Sequence, residues 1–223
     1  VAYTRTYFGV NQDTSGTPAA SLALTFDSTG YTHIVVACSH EGAASTITFS
    51  DNKSSGSFTE KGVFSNTFNN DIHQEMGWVK IGSPGASHTV TATFGASRPY
   101  CEIDVWGIHA DTGEITEEDY TQAVGDTFVS PDAGDLVNSA TAHCFAHYHG
   151  YVSQTGLPGT GWTEDSDANN NYNQSRTDAA GTRNTAFTWT GVGQWTGAGI
   201  SFIESAGGGG GSILRQMMNY HGG

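Results

Sequence analysis

Apolar and polar residues alternate along most of this chain. Ser21–Phe26 (SLALTF), Ser45–Phe49 (STITF), Ser57–Phe64, Ile72–Ile81, His88–Phe94 and Tyr100–His109 follow a period of two. That period places every second side chain of a strand on one face. Thr32–Cys38 (THIVVAC) is nearly continuous in apolar residues, which predicts a strand covered on both faces. Phe128, Leu136–His147, Thr185–Thr190 and Gly199–Glu204 extend the series. Turn residues separate the runs, at Ser83-Pro84-Gly85, Asp111-Thr112-Gly113, Pro131-Asp132-Ala133-Gly134 and Leu157-Pro158-Gly159. About ten short strands with turns between them predict an all-β antiparallel sandwich or barrel. Glu114–Val124 is the exception, where the spacing admits one helical turn, and Asp165–Gln174 (DSDANNNYNQ) reads as a polar loop.

Composition sharpens that picture. Glycine supplies 30 of 223 residues and charged residues only 13%, about half the usual quarter, so uncharged groups make the surface polar. Lys and Arg number 8 against 22 Asp and Glu, for a net charge of -14. Phosphate backbones and anionic membranes are bound through basic side chains, so neither nucleic acid nor a membrane surface is an expected partner. The longest clean apolar run, Ile34–Cys38, is far too short to cross a bilayer. The acids are unevenly placed: thirteen lie between Pro99 and Ser175, with no Lys or Arg among them. Cys38, Cys101 and Cys144 each sit in an apolar alternating stretch, which predicts three reduced, buried thiols. No secretory apolar segment opens the chain, and Val1 fits either an excised Met or a removed signal.

Four constellations carry candidate chemistry. Glu102, Asp104 and Trp106 share one face of a strand. The stretch resembles the Glu-x-Asp-x-Glu strand of jelly-roll β-glucanases and laminarinases. That resemblance makes Glu102 the nucleophile and Asp104 its assistant, but places Trp106 at the acid/base position, where an indole cannot protonate a leaving oxygen. The catalytic set is therefore incomplete, no catalytic residue is assigned, and the pair reads as acids on a solvent face. His143, His147 and His149 share a face with Phe145, and two histidines at i and i+2 can reach one zinc. The sequence nominates no third ligand, so no metal or other cofactor is assigned. Asp165, Asp167, Asn169 and Asn171 begin like a calcium loop, but Asn170 and Arg176 occupy the positions that need Gly and Glu. An irregular calcium site remains open. Trp162, Trp189 and Trp195 are the candidate platforms for stacking a glycan.

The C-terminal end differs from the rest. Gly207–Gly211 forms a glycine hinge, and Ser212 is placed to cap a short helix carrying Ile213, Leu214, Met217, Met218 and, further on, Tyr220. So short a helix needs a surface to dock on, and these five residues are the candidate partner-docking set.

Several segments taken in order resemble a known architecture: Thr48–Lys53, Ser87–Phe94, Glu102–Trp106, Gly134–Val137, Gly161–Thr163 and Trp195–Gly199. They resemble a jelly-roll β-sandwich of the concanavalin A-like lectin and glucanase fold, as found in structural proteins of tailed bacteriophages. The resemblance implies an N-terminal arm or edge strand over residues 1–19, one jelly roll over 20–206, and a glycine-rich hinge with a docking tail over 207–223. It also implies a non-enzymatic virion protein that decorates or cements the capsid exterior. Such a protein assembles in the host cytoplasm as a homo-oligomer with the major capsid protein or other virion subunits. Two alternatives stand beside it: a lectin-like glycan-binding module of a phage tail or fibre or of a secreted bacterial protein, and a glucanase-like glycosidase.

Overall fold

The computed structural model describes residues 3–54, 56–67, 71–126, 130–150, 156–168, 171–189 and 193–205. The predicted strand at Phe128, part of the turn at Gly191–Gly193, Asn169 and the docking set Ile213, Leu214, Met217, Met218 and Tyr220 lie outside these residues.

Among the described residues every regular element is a strand, and the strands form antiparallel sheets. The first half contains β1 (Thr4–Asp13), β2 (Ala19–Phe26), β3 (His33–Glu41), β4 (Ile47–Asp51), β5 (Thr59–Glu60), β6 (Phe64–Asn66), β7 (Ile72–Lys80), β8 (His88–Arg98) and β9 (Cys101–His109). Its main sheet runs β1-β9-β3-β7-β5, with β6 also paired to β7, and a smaller sheet runs β2-β8-β4. The second half contains β10 (Ile115–Gly125), β11 (Asp135–Asn138), β12 (Ala142–Gly150), β13 (Gly156–Leu157), β14 (Thr163–Ala168), β15 (Asn171–Asp178), β16 (Gly181–Asn184), β17 (Thr188–Trp189) and β18 (Trp195–Glu204). Its main sheet runs β10-β18-β12-β15-β14, flanked by the pairs β11-β16 and β13-β17. The second main sheet follows the order of the first, with β15 and β14 in the places of β7 and β5, while two separate strand pairs stand where the first half has the three-stranded β2-β8-β4.

Three apolar layers pack the sheets, and the middle one joins the two halves. Ile34, Val36, Cys38, Val90 and Ile103 fill the space between the first main sheet and β2-β8-β4. Val35, Met76, Trp106, Ile108, Phe145, Ile200 and Phe202 fill the space between the two main sheets. Leu136, Cys144, Tyr148, Trp162, Tyr172, Trp189 and Trp195 fill the outer side of the second main sheet. Both main sheets are therefore covered on both faces, and this explains why β3 and β12 are buried at every position. Two close approaches depend on glycine. A Cβ on Gly197 would meet the Tyr148 ring at 2.3 Å, and one on Gly107 would meet Phe8 at 2.5 Å.

The structure differs from the sequence reading at four places. Ile115–Gly125 is a strand rather than a helical turn, because its backbone pairs along β18. The described parts of Asp165–Gln174 are strand rather than loop: β14, at the edge of a main sheet, pairs with β15. The single run predicted from Leu136 to His147 is broken between β11 and β12, which belong to different sheets. Ser57–Phe64 holds only the short β5 and the start of β6.

Candidate functional site

The space between the main sheets is apolar at one end and polar at the other. β9 points Glu102, Asp104 and Trp106 into it, β3 contributes Ser39, β12 contributes His143, Phe145, His147 and His149, and β15 contributes Asn171 and Asn173. Period-two geometry forces each of these sets onto one face. The two main sheets then bring the sets together, which residue spacing within a strand cannot do.

Glu102 is 1% exposed and Asp104 fully buried, so the expectation of an acidic pair on a solvent face is corrected. The strand bearing them is flanked by β1 and β3 within its sheet, and a second sheet lies over it. The Tyr7 hydroxyl donates to Asp104 Oδ1 at 2.5 Å, and the Gln12 side-chain amide donates to Glu102 Oε2. Each carboxylate therefore has one oxygen anchored. The others, Glu102 Oε1 and Asp104 Oδ2, are buried without a hydrogen-bond partner. Burial raises the pKa of both carboxyls, and for Glu102 the neighbouring Asp104 charge adds to the effect.

His147 faces this pair across the sheet interface, with Nδ1 3.6 Å from Asp104 Oδ2 and 2.6 Å from Asn173 Oδ1. Burial pulls its pKa down to about 3, so the ring is neutral. One carboxylate oxygen from each acid and one His147 nitrogen lie within 4.8 Å of one another. The other two histidines of the predicted trio go elsewhere. His143 contacts Thr177 Oγ1 at 2.7 Å and packs against the tilted Tyr3 ring. His149 contacts Asn171 Oδ1 at 2.7 Å and Ser39 Oγ at 3.0 Å. The three histidines thus share a face, as their spacing predicts, without converging on one point.

Trp106 donates its indole N–H to Asp165 Oδ2 at 2.8 Å. Asp167 Oδ2 instead accepts from the Gly156 N–H, and Asn171 Oδ1 accepts from the Ser39 hydroxyl. The described members of the candidate calcium loop therefore serve three separate partners. Trp162, Trp189 and Trp195 are 6%, 4% and 4% exposed. All three lie in the outer apolar layer of the second half, and none offers an indole face to solvent. A narrow pocket at the polar end is lined by Gln12, Tyr100, Glu102, His149 and Asn171, among others.

Sequence reasoning missed the meeting of Glu102 and Asp104 with His147. The only available signal was that β9 and β12 both carry polar residues at alternate positions of otherwise apolar strands. No family model matches this chain, and neither a curated protein nor a solved structure does.

Proposed function

We propose that the protein is a non-enzymatic structural subunit of a tailed-phage virion, decorating or cementing the capsid exterior against the major capsid protein or other virion subunits. The observation that carries this reading is the position of the enzyme-like strand. Glu102 and Asp104 are enclosed between two sheets, and Trp106, where a glucanase-like strand needs its acid, is fully buried and bonded to Asp165. Retaining hydrolysis needs a carboxylate nucleophile and a carboxylic acid flanking a bound sugar. This strand supplies neither that geometry nor the second acid.

Two further features support the reading. All seven Lys and Arg among the described residues are engaged within the chain: Lys61 with Glu117, Lys80 with Glu114, Arg176 and Arg183 with Asp178, and Arg5, Lys53 and Arg98 with backbone carbonyls. A surface meeting packaged nucleic acid needs cations available to phosphates, so an exterior position suits this chain better. The order β1-β9-β3-β7 opposite β2-β8-β4 also fits the double-sheet arrangement of a jelly roll. The lectin-like alternative loses its three candidate platforms to the core.

The test compares the full chain with a variant ending at Ala206. We expect both to keep the β-sheet circular dichroism signal, and only the full chain to enter large assemblies in sedimentation and particle-mass measurements. A full chain that stays monomeric and joins no virion particle overturns the proposal.

A further inference from the structure

We propose that Glu102, Asp104 and His147 bind one divalent transition-metal ion of the zinc class, which fastens the first half of the chain to the second. The inference does not depend on the virion reading. Both acids belong to β9 and the histidine to β12, so a shared ion would bridge the two main sheets.

Three observations converge. The first is the donor set, with two carboxylates and one neutral imidazole grouped within 4.8 Å and all three residues buried. The second is the pattern of satisfied and unsatisfied oxygens. Tyr7 anchors Asp104 Oδ1 and Gln12 anchors Glu102 Oε2, while Asp104 Oδ2 and Glu102 Oε1 are buried with no partner. Metal-ligating carboxylates are held in this way, one oxygen oriented by a neighbour and the other left for the ion. Buried polar atoms are usually paired, and these two belong to side chains of one face that group with His147. The third is a distance. Asp104 Oδ2 and His147 Nδ1 are 3.6 Å apart, too far for a good hydrogen bond. Two ligands on one tetrahedral ion, each bonded at about 2.0–2.1 Å, stand about 3.4 Å apart.

Charge balance points the same way. Two ionised carboxylates sealed between sheets are strongly unfavourable, and one divalent cation with a neutral imidazole cancels their charge. An imidazole among few oxygens favours zinc and its first-row neighbours over calcium or magnesium, which need six or more oxygens or several waters. The Asn173 carboxamide oxygen, 2.6 Å from His147 Nδ1, is the nearest additional donor; binding would move the ring proton from Nδ1 to Nε2 and the ion would replace that contact. The narrow pocket that reaches Glu102 provides an entry path.

The test uses the full chain, stripped with a chelator, loaded with Zn2+ or Co2+, and desalted. Elemental analysis is expected to find about one ion per chain, and Co2+ is expected to give visible absorption of nitrogen and oxygen ligation. His147→Gln and Asp104→Asn should each weaken binding at least tenfold while near-ultraviolet circular dichroism stays unchanged. Undiminished binding in both variants overturns the proposal. If neither variant folds, a zinc-soaked crystal of the wild-type chain decides. An anomalous peak within bonding distance of Glu102, Asp104 and His147 supports the site, and no peak, or one only at another group such as the stacked His40 and His73, overturns it.

Discussion

The indole of Trp106 donates to the Asp165 carboxylate at 2.8 Å, joining an interior strand of one half to the edge strand of the other. Trp106 is also packed against Tyr7 and Phe145, so it contributes to the middle apolar layer as well as to this bond. Replacing it with Phe keeps an aromatic ring but leaves a half-buried carboxylate without its donor. The expected loss is about 2–4 kcal/mol, combining an unpaired acceptor with incomplete filling of the site. Urea unfolding of Trp106→Phe measures it, and a loss below about 1 kcal/mol contradicts the role given to this bond.

Gly197 marks a close approach between the paired strands β18 and β12 of one sheet. Its missing side chain leaves room for the Tyr148 ring, and the Tyr148 hydroxyl bonds to Thr185 Oγ1 at 2.9 Å. Gly197→Ala forces the ring away, and the expected cost is about 1–3 kcal/mol from overpacking, with a further loss if the hydroxyl is pulled from its partner. Thermal unfolding reads the effect. An unchanged midpoint means that the ring shifts freely.

Glu75 should set one part of the pH dependence. Burial raises its pKa from 4.5 to about 7, against the Gly62 N–H bond and with help from Glu60. The folded chain holds this proton after the unfolded chain has released it. The stability contributed by the group is therefore full below about 4.5 and is lost as pH rises toward 7. Glu75→Gln should flatten stability across that window in urea midpoints taken at successive pH values.

Asp51 should act with the opposite sign. Burial alone raises its pKa, but bonds from His88 and Ser54 outweigh that and hold it below the usual carboxylate value of 3.8. Its contribution is present above that value and is lost as pH falls through the lowered one. Asp51 and His88 are both enclosed, with Nε2 and Oδ2 2.6 Å apart. His88→Leu should then cost about 3–5 kcal/mol at neutral pH, because it strands a buried carboxylate. Asp51→Asn with His88 retained should remove the acid-side dependence.

The three thiols should be silent in the folded protein. Cys38, Cys101 and Cys144 are free and buried. Burial pushes Cys101 up to about 12 and Cys144 to about 11, and it also raises Cys38 well above the ordinary value. A thiol reagent at neutral pH should label none of them in minutes and all three after denaturation. Rapid labelling of any one in the native state contradicts this.

Most strands were legible because alternation is a local property. β2, β3, β4, β7, β8 and β9 coincide closely with runs visible in the chain. Two of the failures share one cause. Ile115–Gly125 and the described parts of Asp165–Gln174 carry polar residues on sides that meet polar neighbours: Glu117 meets Lys61 and the Trp78 indole, Asp165 meets the Trp106 indole and Asn173 meets His147. Hydrophobic periodicity cannot register a strand whose inward face is satisfied by hydrogen bonds. The same blindness hid the similar order of the two main sheets, which share little visible pattern.

By itself the sequence determined an all-β chain, the course of its first-half strands, the burial of its cysteines and a surface poor in cations. All of these follow from composition and from the two-residue period of the strand. Only the tertiary structure decided that Glu102, Asp104 and Trp106 face a second sheet instead of water, that the tryptophans fill the core, and that His147 meets the two acids. Those outcomes depend on which sheet covers which face, and packing between strands distant in the chain sets that through residues no local pattern connects.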